Sequence, residues 1–214
     1  MGLALKGYRP VVEMQFSDFV SCGFNQIINN LSKNHYRWGE AVNVTIRMPS
    51  GGGIGAGPFH SQSPEAWFFN SPGIKIVYPS NSIDAKGLLL AAIEDPNPVM
   101  FFEHKALYRS VKNDVPEDYY TTPIGLGSIV EKGDALTIIT YGQSVYWAQD
   151  ISLNYIKQGI NIEIIDLRSL VPWDKKLVGK SIKKTNKALI LHEANLSDGI
   201  GGEIASYISE HFFE

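Results

Sequence analysis

The segment Gly51 to Glu65, GGGIGAGPFHSQSPE, places five glycines within seven residues and then a single histidine, His60. Backbone without Cβ atoms can approach a ligand closely. Ser63 and Pro64 read as the N-cap and first residue of a following helix. His60 therefore stands between a pliant loop and a rigid helix start, a setting suited to acid–base work by an imidazole. A glycine-rich turn carrying a surface histidine accounts for the same residues equally well. Gln15, beside Met14 at the end of an apolar run, can hydrogen-bond a ligand or a neighbouring backbone group. His192-Glu193 closes a later apolar run and can line a site, although a structural role is the simpler reading. His35, His104 and His192 lack the spacing of a histidine metal site. No glycine run has dinucleotide-binding spacing or a P-loop lysine, and no Gly-x-Ser-x-Gly elbow occurs. Lys180, Lys183, Lys184 and Lys187 form a solvated helix end or a patch for an acidic partner.

These residues need a scaffold. A chain of 214 residues with 44% hydrophobic residues suits one large or two small globular domains. The net charge of −3 provides no basic footprint for nucleic acid. No apolar run reaches the roughly 18 residues of a membrane helix, and Met1 to Pro10 has no signal-type apolar segment. The lone cysteine, Cys22, excludes an intrachain disulfide and a cysteine zinc site, which fits a reducing compartment.

The patterning predicts an α/β fold. A buried strand is expected at Val11–Met14, and further strands at Val42–Met48, Ile74–Tyr78, Pro98–Glu103, Ala135–Thr140, Ile162–Asp166 and Ala188–His192. Helices are expected at Asp18–Leu31, Pro64–Asn70, Ser82–Glu94, Ser144–Lys157, Asp174–Lys184 and Gly202–Phe212. In the first of them Val20, Phe24, Ile27, Ile28 and Leu31 share a face. Asn81 or Ser82 should cap the Ser82 helix, with Asp84 near its positive end. Lys105 to Gly127 is polar and mixed, with Pro116 and Pro123, and reads as a connector. Strand–helix alternation implies mostly parallel sheets flanked by helices, with ligands at the carboxyl ends of the strands.

Beyond spacing, the text of the chain resembles the β subunit of the 2-oxoacid dehydrogenase E1 component, within the transketolase-like superfamily. The resemblance rests on VVEMQFSDF, GPFHSQSPEAWF, PGIKIVYPSNSIDAKGLL, FFEHKALYR and IDLRSLVPWD, in order over essentially the whole chain. HSQSPEAWF and the FFE-K-LYR pattern lean toward branched-chain 2-oxoacid members, although pyruvate and acetoin types share most of this text. The resemblance implies a partial pyrimidine-binding domain at 1–105, a linker at 106–126 and a transketolase-like C-terminal domain at 127–214.

It also implies a thiamine-diphosphate enzyme that oxidatively decarboxylates a 2-oxoacid and passes the acyl group to a lipoyl group on E2. The cofactor carries the hard chemistry, and its diphosphate and Mg2+ are held mainly by an E1 α subunit or a fused α region. His60 matches the histidine facing the reaction centre, with a role in protonating the lipoyl dithiolane. Gln15 and Phe19 match positions lining the aminopyrimidine, Phe19 replacing a tyrosine of some relatives. Val44, Thr45, Ala92, Asp95 and Asn97 match a structural K+ site of branched-chain members, where ordinary helix-end packing is the alternative. Implied partners are E1 α, a second β subunit and the E2 acyltransferase, in a bacterial cytoplasm or a mitochondrial matrix. Family β subunits carry a further upstream segment with the glutamate that activates the aminopyrimidine. The chain thus reads as a fragment or the tail of an α–β fusion, inactive alone. Two other readings remain: an assembly module without chemistry, and a transketolase or deoxyxylulose-phosphate synthase type, for which Arg47, Arg109 and Arg168 are too few and scattered.

Overall fold

The computed structural model describes residues 1–212 and has two α/β domains, each built on a mostly parallel sheet. Phe213 and Glu214, the end of the predicted C-terminal domain, lie outside the described residues. In chain order, the first half contains α1 (Gly2–Leu5), β1 (Val11–Glu13), α2 (Asn34–Trp38), β2 (Thr45–Ser50), β3 (Lys75–Val77), α3 (Ser82–Glu94), β4 (Val99–His104) and α4 (Leu107–Ser110). The second half contains β5 (Ser128–Glu131), β6 (Leu136–Thr140), α5 (Ser144–Ile156), β7 (Ile162–Asp166), β8 (Ser169–Val171), α6 (Lys175–Thr185), β9 (Ala188–Ile190) and α7 (Ile200–Phe212). Among the described residues no helix is long and apolar enough to cross a membrane.

The first sheet has the order β1-β2-β4-β3-β8 and the second β5-β7-β6-β9. Central β4 is buried at every position, including Glu103 and His104. Strand β8 comes from the second half of the chain but pairs antiparallel with β3, Ile76 opposite Val171 and Val77 opposite Ser169. Edge strand β5 runs antiparallel to β7. One apolar cluster therefore spans both halves, with Val44, Met48 and Phe102 joined to Ile139, Ile165, Leu167 and Ile204.

Local chemistry explains the helix ends. The Asn81 side chain accepts from Asp84 N at 2.9 Å and caps α3, leaving Asp84 in its positive first turn. Asp174 caps α6 by accepting from Leu177 N at 2.8 Å. Three expectations need correction. The Val11 strand forms as β1 but is exposed rather than buried, because it is an edge strand paired only with β2. Asp18–Leu31 is no single α-helix but a 3-10 turn over Ser17–Gly23 followed by a π-helix over Gln26–Leu31. Its predicted apolar face is nevertheless the one that packs, because the wider winding still turns Val20, Ile27 and Leu31 into the core. The expected helix at Pro64 is a single 3-10 turn, Glu65–Phe68, with Pro64 as its N-cap and no side-chain cap from Ser63.

Candidate functional site

The glycine loop leaves the carboxyl end of β2 and returns at Gln62. Its two stems are hydrogen-bonded to each other, Gly51 N donating to Gln62 O at 3.0 Å. Gly51, Gly53, Gly55 and Gly57 all have positive φ, a region that side chains with a Cβ avoid. At Gly51 the need is double, since a Cβ there would overlap the His104 ring.

The loop delivers His60, half-buried, against two phenyl rings. Phe16 meets it edge-on at 4.7 Å between centroids and Phe19 at 5.5 Å. Such edge contacts fix the plane of an imidazole without consuming either nitrogen. Phe19 lies in the 3-10 turn after β1, and Gln15, exposed, immediately precedes Phe16. The structure thus brings together the chain segments of Gln15, Phe19 and His60. Phe16 was not singled out from sequence, although its place beside Gln15 was visible.

Beneath the loop lies a set of charged groups drawn from both halves. Asp18 Oδ1 accepts from Gln62 N at 3.1 Å. Glu193, just past β9, accepts from Gly52 N at 2.6 Å through Oε1 and meets His104 Nε2 at 2.5 Å through Oε2. Because His104 Nδ1 accepts from Ala106 N at 3.2 Å, the ring proton belongs on Nε2 and is donated to Glu193. Burial tends to raise the Glu193 carboxyl, but the bonds from His104 and Gly52 prevail and hold it below the ordinary carboxylate range. Lys105 reaches over the Phe16 ring at 5.4 Å. Burial lowers its ammonium pKa against the opposing fields of Asp18 and Glu193. Lys105 Nζ, Asp18 Oδ2 and Ser17 Oγ are buried and find no hydrogen-bond partner among the described residues. Orphaned polar atoms are uncommon in folded interiors and mark this floor as able to receive a polar group.

Two further clusters join the domains. Buried Glu65 accepts from Tyr141 OH at 2.6 Å, and burial raises its carboxyl above the ordinary value. Asp166 accepts from Ser80 Oγ at 2.5 Å and from Arg168 N at 3.0 Å. A cavity of about 330 Å3 opens at the carboxyl ends of β3 and β4, with Ser80, Ala85, Leu89, His104 and Tyr108 among its lining residues. His60 is not on its wall.

The predicted K+ residues gather at the amino ends of β2 and β4 and the carboxyl end of α3. Asp95 is engaged by the Lys75 ammonium and by Asn97 N at 2.9 Å, and Val44 O accepts from Val99 N at 3.0 Å. Thr45 Oγ1 and Asn43 Oδ1 are buried there without a partner among the described residues. Asn43 Nδ2 donates to Ile93 O at 2.9 Å. Oxygen donors beside the negative end of a helix suit a hard cation, so the setting fits, although the Asp95 carboxylate is not the open ligand.

Known proteins bear on this arrangement. The family description "Transketolase, pyrimidine binding domain" matches residues 1–111, and "Transketolase, C-terminal domain" matches residues 125–214. The chain is 44% identical over its whole length to 2-oxoisovalerate dehydrogenase subunit beta 2, mitochondrial, of Arabidopsis thaliana, covering 60% of that protein. It is 44% identical over 99% of its length to 2-oxoisovalerate dehydrogenase subunit beta of Bacillus subtilis (strain 168), covering 65%. Against the pyruvate dehydrogenase E1 component subunit beta of Mycoplasma pneumoniae (strain ATCC 29342 / M129 / Subtype 1) identity is 40%, covering 66% of that protein. The chain thus spans less than two thirds of the Arabidopsis and Bacillus relatives' length. A solved structure described as split gene transketolase, inactive beta4 tetramer, superposes on 99% of the chain and 66% of its own with a TM-score of 0.82 at 22% identity, a likeness of fold. With both domain descriptions matched in order, the first over half of its residues, the chain belongs to the transketolase family, as a pyrimidine-binding domain followed by a transketolase C-terminal domain.

Proposed function

We propose that the chain is the β part of a thiamine-diphosphate-dependent 2-oxoacid dehydrogenase E1, acting on branched-chain 2-oxoacids together with an E1 α part, a second β subunit and a lipoyl-bearing E2. The observation that carries this reading is His60, held edge-on by Phe16 and Phe19 near the returning stem of a glycine loop, in a chain 44% identical to 2-oxoisovalerate dehydrogenase β subunits. The fit to the cofactor is one of shape and polarity. Phe19 offers an apolar face to an aminopyrimidine, Gln15 an amide within the same segment, and the orphaned floor a place for polar atoms. Thiamine diphosphate, when bound, supplies the carbanion chemistry, with Mg2+ held mainly by the α part.

The chain's own contribution is then placement and protons. Phe16 and Phe19 fix the imidazole plane, the loop lets the backbone approach closely, and His60 delivers a proton to the lipoyl sulfur during acyl transfer. In the assembled enzyme, His60→Ala should reduce overall turnover by about 10²–10⁴-fold, the range for general acid–base catalysis. Decarboxylation read with an artificial electron acceptor should fall far less. Equal loss in both assays excludes the acyl-transfer role, and no loss in either moves the assembly-module reading ahead. A pyruvate-type enzyme is distinguished by comparing turnover on pyruvate and on 2-oxoisovalerate.

We also propose that K+ binds beside Thr45, with Val44, Ala92, Asp95 and Asn97 shaping the site and Asn43 adding an oxygen. K+ should raise the thermal midpoint more than Na+ at equal ionic strength, and Thr45→Val should erase the difference. Equal midpoints in both salts for the unsubstituted chain rule the site out.

A further inference from the structure

We infer that Glu193, contributed by the C-terminal half, is a positioning residue for the loop that carries His60. The loop from Gly51 to Gln62 has glycines at most of its early positions and no regular structure before Pro58–His60. Such a segment loses much conformational entropy when ordered, so its geometry must be imposed from outside. Two carboxylates do so, one per stem. Asp18 holds the returning stem at Gln62 N, and Glu193 holds the departing stem at Gly52 N, at 2.6 Å. The second oxygen of Glu193 is locked by His104 Nε2 at 2.5 Å, and His104 is itself fixed by Ala106 N and by close packing on Gly51. Charge-assisted bonds of this kind are about twice as strong as neutral ones, and both are shielded from water on the His104 side, whose ring is buried.

The clamp is directional in its chemistry. Glu193 must accept on both oxygens, because Gly52 N–H and His104 Nε2–H both donate. Glutamine cannot do this: its amide nitrogen would face the His104 proton, and the opposite tautomer of His104 would face Ala106 N–H instead. Glu193→Gln therefore opposes two donors without changing side-chain size. The consequence is that ordering of this histidine is shared: Asp18, Phe16 and Phe19 act from the pyrimidine-binding domain and Glu193 from the C-terminal domain.

The test uses the full chain. Amide hydrogen exchange is followed at the bonded loop amides Gly51, Gly52, His60 and Gln62 together with the His60 ring proton resonances, assigned by their loss in His60→Asn. Those ring resonances sense the edge contacts with Phe16 and Phe19. In Glu193→Gln, exchange at the bonded stem amides Gly51 and Gly52 should rise at least tenfold and the His60 resonances should move toward those of an exposed histidine, while amides of β2 and β4 keep their protection. Glu193→Asp, one methylene short of spanning both donors, should fall between. Unchanged loop exchange and unchanged His60 resonances in Glu193→Gln overturn the inference, as does an equal loss of protection throughout β2 and β4. What the clamp does for catalysis rests on the role proposed for His60, but the two fail separately. A loosened loop with a dispensable His60 leaves the clamp standing and removes the acyl-transfer role; an ordered loop with an essential His60 does the reverse.

Discussion

Asp166 shows what the interior does to a single carboxyl. It is buried at the junction of the two sheets, and burial pushes its pKa from 3.8 up to about 7, against the hydrogen bonds from Ser80 and Arg168 N. The native state therefore keeps this proton over a pH range in which the unfolded chain has released it. Its stabilising contribution is complete below 3.8 and is lost as pH rises through 7. The loss is at most about 4 kcal/mol, at ~1.4 kcal/mol per pH unit. Asp166→Asn should flatten the fall in thermal midpoint between pH 4 and 7; an unaltered slope contradicts the assignment. The residues of the site were unevenly legible. His60 stood out because glycine runs and a following proline are local signals. Glu193 was visible only as a strand-end pair with His192, since its partners Gly52 and His104 lie 141 and 89 positions away. Distances of that kind are set by the fold alone.

At the scale of elements, long periodic segments were readable and short ones were not. Helix α3 and strand β7 have the predicted bounds, Ser82–Glu94 and Ile162–Asp166, because cap and periodicity agree there. Strand β8 has three residues and no alternation of its own; it is a strand because β3 offers an unpaired edge. Strand β5, partly exposed, exists by the same logic against β7. The winding of Ser17–Leu31 was equally out of reach, since 3-10, α and π turns share apolar faces over so few residues. The connector after Lys105 hides a contact of consequence. Thr122 Oγ1 reaches Asp84 Oδ1 at 3.4 Å, and Arg168 holds the same carboxylate oxygen at 2.8 Å while donating to the carbonyls of Leu126 and Gly127. The connector is thereby tied to the N-terminal turn of α3.

For the whole molecule, β8 and the shared core make two domains into one cooperative unit. The largest apolar cluster includes residues of both sheets, and strand β3 loses a neighbour if the second half opens. Calorimetry should therefore record one unfolding transition with matching calorimetric and van't Hoff enthalpies. Two resolved transitions, or a 1–111 fragment that melts cooperatively by itself, would show that the junction does not couple the halves.

By itself the sequence determined the α/β class, the alternation of strands and helices, the glycine loop with its histidine, and the family, because these rest on local patterning and on text that survives from relative to relative. The tertiary structure alone decided which residues meet. It placed Phe16 and Phe19 on His60, carried β8 across to the first sheet and set Glu193 under the glycine loop. Those contacts join residues far apart in the chain, and their energy comes from burial and from hydrogen bonds that exist only once both domains have closed on a common core.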